Sequence, residues 1–160
     1  MLFNFDIILT MKKLFLIISI LGFINSTISL AQSNETHIWK LFERENGQKA
    51  WYDASGLDTV KGNNFDIWVL TVNKPPVKYE GVDKEVYRVK TLYTINLTSV
   101  KYGILKVMYY DIQNKEVFSY DYNNPPQPES IKYAYPITEN SLIFDIVKTI
   151  FGPGGLKSNK

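Results

Sequence analysis

His37 is the only histidine in this chain of 160 residues, and there is no cysteine. Without thiols there is no disulfide framework, no thiolate metal site and no cysteine nucleophile. A zinc site needs three or four nitrogen, sulfur or carboxylate ligands. One imidazole does not supply them, so no metal and no other cofactor is expected. A Ser-His-Asp relay requires a histidine buried beside a serine, whereas His37 opens an edge-like first strand and reads as a solvated strand-end residue. Acid–base chemistry then falls to paired carboxylates, which glycosidases hold roughly 5–10 Å apart. Asp53, Asp58, Asp66, Asp111 and Asp121 are the candidates, but all lie at strand ends or turns. Aspartate favours such positions because its side chain hydrogen-bonds local backbone. Turn roles are therefore expected for them, and the chain reads as a non-enzyme with no catalytic residue. A phosphate-cradling loop is missing too: Gly152-Pro153-Gly154-Gly155 follows a helical pattern instead of preceding one.

Binding chemistry leaves two traces. Between Asn73 and Thr91, Lys74, Lys78, Lys84, Arg88 and Lys90 outnumber Glu80, Asp83 and Glu85. Such an excess suits docking to an acidic protein or polyanionic macromolecule, and equally suits a solvated edge whose lysines discourage sheet-to-sheet aggregation. The second trace is the series Tyr102, Tyr109, Tyr110, Tyr120, Tyr122, Tyr133 and Tyr135, within an aromatic content of 14%. Tyrosines of this density complete a sheet core or form a contact surface. A net charge of +2 is too small to argue for nucleic acid. Asn34-Glu35-Thr36 and Asn96-Leu97-Thr98 match the glycosylation sequon, which matters only in a eukaryotic secretory pathway.

The elements that position these residues come after an address segment. Met11-Lys12-Lys13, the apolar run Leu14 to Ile24 and the small-residue ending Ser29-Leu30-Ala31 have the form of a secretory signal peptide. The run is shorter than the about 20 residues of a membrane span. The reading is a start at Met11, cleavage after Ala31, a single domain over 32–151 and a mobile tail over 152–160. The chain is then exported to the periplasm, cell surface or medium, and meets the membrane only through the transient signal peptide. Beyond it, strands are expected over 37–44, 49–53, 65–73, 87–97, 101–111 and 116–122. Asn46-Gly47 and Gly62-Asn63-Asn64 supply turns. Trp68, Leu70 and Val72 share one face at period two, and alternation over 87–97 is the cleanest strand signal. Pro75-Pro76 should stop the third strand, because proline cannot donate to a ladder, leaving 77–86 as a long loop. Pro125-Pro126-Gln127-Pro128 reads as an extended linker. The period then changes: Leu142, Ile143, Ile146, Val147, Ile150 and Phe151 recur at three and four residues, with Thr138 available as a cap and Gly152-Pro153 as a stop. The expected class is α+β, an antiparallel sheet of about six strands with a C-terminal helix packed on it.

This order of elements resembles the surface-adhesin protein E-like domain of exported bacterial proteins. The resemblance rests on Trp39, Trp51-Tyr52-Asp53, Ile67-Trp68-Val69, Lys101-Tyr102-Gly103-Ile104-Leu105, Tyr109-Tyr110-Asp111, and Pro136 with Ser141-Leu142, and it spans roughly residues 38–151. The chain departs from that pattern in lacking the family's cysteines; Asn96-Leu97 and Ile150-Phe151 stand in the corresponding neighbourhoods, where an apolar contact can replace a bridge. The resemblance implies a non-enzymatic adhesin-like module, whose relatives bind host matrix proteins such as vitronectin, laminin and plasminogen. The leading expectation is thus a secreted or surface-associated binding protein, with Lys74, Lys78, Lys84, Arg88 and Lys90 as contact residues. The alternative is an envelope structural or assembly protein acting as a homodimer.

Overall fold

A computed structural model describes residues 36–44, 46–60, 62–152 and 154–156. The expected signal segment, residues 1–31, lies outside the described residues. Six antiparallel strands follow one another in space as they do in sequence: β1 (Trp39–Glu43), β2 (Lys49–Asp53), β3 (Asn64–Lys78), β4 (Glu85–Asn96), β5 (Lys101–Tyr110) and β6 (Glu116–Asp121). A short helix α1 (Glu129–Lys132), a two-residue strand β7 (Tyr135–Pro136) and the helix α2 (Leu142–Phe151) complete the domain. β6 pairs with residues 106–110 of β5, and β7 with Lys101 and Tyr102 of the same strand. The fold is α+β, with α2 packed on the antiparallel sheet.

Directly opposed residues of an antiparallel pair share a face, so the register sorts the side chains. Phe42↔Ala50, Tyr52↔Val69, Phe65↔Ile95 and Ile67↔Tyr93 lie on the face that receives α2. Ile143, Ile146 and Val147 enter from the helix, and Ile137 closes the cluster. Leu97 and Ile150, two of the positions where the resembled pattern has cysteines nearby, both pack against this core. The helix is tied down at its start as well. Ser141 Oγ accepts from Phe144 N at 3.1 Å, a cap worth about 1 kcal/mol. Arg44 Nε donates to Asp145 Oδ2 at 2.7 Å, and its Nη2 donates to the Asn140 carbonyl.

Three expectations, on the proline stop, the loop after it and the helix cap, need correction. Pro75-Pro76 does not end β3, which runs on to Lys78. The ladder passes from Val72↔Arg88 to Val77↔Val86, so residues 73–76 bulge opposite Tyr87 and neither proline is asked to donate to it. The stretch 77–86 is consequently no long loop: Val77, Lys78, Glu85 and Val86 are paired, and Val82 and Val86 are buried. The Pro-rich linker leads at once into α1, with Pro128 as its N-terminal neighbour. Ser141, not Thr138, caps α2; Thr138 contributes its carbonyl to Ser141 N. Leu156, at the start of the expected tail, packs against the core.

Candidate functional site on the open sheet face

The face turned away from α2 carries Trp39, Leu41 and Glu43 from β1, and Lys49, Trp51 and Asp53 from β2. It continues with Trp68, Leu70 and Val72 of β3, Arg88, Lys90 and Leu92 of β4, and Lys106, Met108 and Tyr110 of β5. The cross-strand row Leu41↔Trp51↔Leu70↔Lys90↔Met108↔Ser119 crosses the whole sheet. All three tryptophans of the chain lie on this face, and none is buried. Period-two reading groups Trp68, Leu70 and Val72 correctly, but it does not say which face meets the helix. The neighbouring set, Phe65, Ile67 and Val69, is the buried one.

At the β1–β2 end of this face sits His37. Its Nδ1 lies 2.6 Å from Asp53 Oδ2, and Lys90 Nζ lies 2.7 Å from its Nε2. The imidazole thus stands between the Asp53 carboxylate and the Lys90 side chain, one ring nitrogen facing each. Lys90 also lies 4.2 Å from the Trp68 ring centroid, a cation–π contact, and the imidazole stands 4.9 Å from Trp39. Asp53 further accepts from Ile38 N, Ser55 N and Ser55 Oγ at 2.8–2.9 Å. Burial pushes its carboxyl up, but hydrogen bonds from His37, Ser55 and Ile38 outweigh burial and hold it below the ordinary range. The expectation of a solvated strand-end histidine is overturned, since the His37 side chain is only 13% exposed. Nothing in the sequence flagged the pairing, because His37 and Asp53 are 16 residues apart and meet only through the β1–β2 register.

The five basic residues singled out in the sequence are not one patch. Arg88 and Lys90 stand on the open face. Lys74 joins Arg88 in lining a cleft of about 470 Å³ with Lys49, Trp51, Val72 and Tyr87. Lys84 instead lies 3.4 Å from Asp111, and Lys78 ends β3 opposite Glu85. Lys49 belongs to the cationic cleft but falls outside the sequence window that defined the basic segment. Asp111 and Asp121 accept from backbone N–H groups two to four residues on, as turn aspartates do. Hydrogen bonds from the Lys115 backbone, set against the cost of burial and aided by Lys84 and Gln113, keep the Asp111 carboxyl low.

The tyrosines divide between packed and exposed positions. Tyr109 stacks on Tyr79 at 5.1 Å and on Phe118 at 5.7 Å, while Tyr93 meets Tyr102 beside the core. Tyr120 and Tyr122 are exposed at the β6 end. Among the described residues no group of three or more His, Asp or Glu is placed to hold a metal, and no helix is long and apolar enough to cross a membrane. No family model, curated protein or solved structure matches the chain.

Proposed function

We propose that this chain is an exported, non-enzymatic, adhesin-like protein that binds an acidic macromolecule across its open sheet face. The observation that carries the reading is the gathering of Trp39, Trp51 and Trp68 on that face, interleaved with Lys49, Arg88, Lys90 and Lys106. Tryptophan and arginine are the side chains that anchor contact surfaces, and a cationic field lengthens their reach toward a polyanion. The signal-like segment 11–31 supports export. The resemblance to the surface-adhesin protein E-like domain supports the adhesin class. A structural homodimer is the second reading, favoured by the exposed aromatic edge of β6.

Heparin serves as the test polyanion. The full chain should be retained on immobilised heparin at low salt and released as salt rises. Lys90→Glu and Arg88→Glu should each weaken binding about tenfold, while a Lys78→Glu control at the end of β3 should change it little. No retention at low salt, or retention indifferent to salt and to both reversals, would overturn the reading.

A further inference from the structure

We infer that the cleft bounded by Lys49, Trp51, Lys74, Tyr87 and Arg88 is a subsite for one acidic sugar unit, a pyranose bearing carboxylate or sulfate. This inference rests on the proposed polyanion-binding face and names the chemistry that one part of it recognises. Three cations from three different strands converge there. Lys49 comes from β2, Lys74 from the bulge of β3 and Arg88 from β4. Among the described residues, none that lines the cleft is a carboxylate. Glu43 faces Lys49 across β1–β2, yet no ion pair links them among the described residues. Neither Lys49 nor Lys74 makes an ion pair among the described residues, so neither ammonium is already held by a carboxylate there.

Arg88 is set differently. Its Nη1 donates to Asn114 Oδ1 at 2.7 Å, and its guanidinium carbon stands 5.6 Å from the Tyr87 ring centroid. One edge of the fork is therefore fixed, and the remaining N–H donors suit the paired oxygens of a carboxylate or sulfate. Trp51 and Val72 provide an apolar wall, which the C–H face of a pyranose can cover, and Gln48 adds a neutral hydrogen-bonding group for ring hydroxyls. At about 470 Å³ the cleft falls in the size range of small-molecule sites and is open to a chain continuing past it. Lys74 follows Leu70 and Val72 at period two, which sets it on the cleft side of β3 as the strand enters the bulge.

A heparin-derived disaccharide is the probe, titrated into the full chain by calorimetry, with immobilised heparin measured in parallel. The disaccharide should bind and should compete with heparin. Trp51→Ala and Lys74→Ala should each weaken both ligands at least tenfold, and Lys40→Ala, exposed on the opposite face of β1, should change disaccharide affinity less than twofold. Unchanged circular dichroism and melting temperature would establish that the variants are folded; should Trp51→Ala unfold, Lys74→Ala and Lys49→Ala carry the test. Heparin bound equally by the cleft variants and the parent would overturn the subsite while leaving the polyanion face in place. Failure of the parent to bind heparin at all would overturn that face as well. Tighter binding of a single-stranded oligonucleotide at the same residues would overturn the sugar class.

Discussion

The most informative residue is Asp53, because four hydrogen bonds converge on one carboxylate that also orients His37. Its folded-state pKa lies below the unfolded value, so its stabilising contribution is complete above the unfolded range and is lost as pH falls through the folded value. The affected window is therefore acidic, beginning near the ordinary aspartate value of about 3.9 and extending below it. Asp53→Asn should lower stability at neutral pH by about 1–2 kcal/mol, as loss of hydrogen bonds to a charged group does. It should also flatten the acid limb of a stability-against-pH curve measured by urea unfolding. An acid limb identical to the parent's would remove Asp53 from the account. The sequence offered Asp53 only as a strand-end aspartate, which it is. Its second role depends on His37 arriving from the other strand, and no local pattern encodes that meeting.

Among the elements, β5 is held from three sides: by β4 and, along its outer edge, by β6 and β7, while α1 crosses its face. Gly103 makes that crossing possible. A Cβ there would stand 1.6 Å from the Lys132 carbonyl oxygen and 3.5 Å from Thr94 Cγ2. The obstacle is backbone, which cannot swing aside as a side chain can. Gly103→Ala should thus displace α1 and cost about 1–3 kcal/mol in thermal or denaturant unfolding, the ordinary penalty for overpacking. Stability equal to the parent's would mean that α1 does not bear on the sheet. Much of this architecture was legible: period-two alternation located β4, Asn-Gly marked the first hairpin, and the 3–4 spacing located α2. The strand through Pro75-Pro76 was not, because a bulge removes the hydrogen-bond demand that makes proline a stop. β7 and α1 span two and four residues, too short for any period to register.

At the scale of the whole molecule, the β6 edge of the sheet is exposed and aromatic. Phe118, Tyr120 and Tyr122 are 38%, 52% and 46% exposed along and just beyond β6, and the edge has no strand beyond it among the described residues. If the homodimer reading holds, sedimentation should show mass rising with concentration, and Tyr120→Lys, placing a charge on the edge, should abolish that rise. A strict monomer at high concentration would set the homodimer aside. The acidic-ligand and dimer readings therefore occupy different parts of the sheet and can be separated in one protein. The division of aromatics between faces has an optical side. Every indole lies on the open face, while Tyr52, Phe42 and Phe65 serve the core. Light absorbed only by indole therefore reports on the ligand face without labelling, and the Lys90 ammonium over the Trp68 ring makes that emission sensitive to the local field. Tyrosine excitation reports on packing as well, so occupancy and unfolding can be followed as two separate colours of one spectrum.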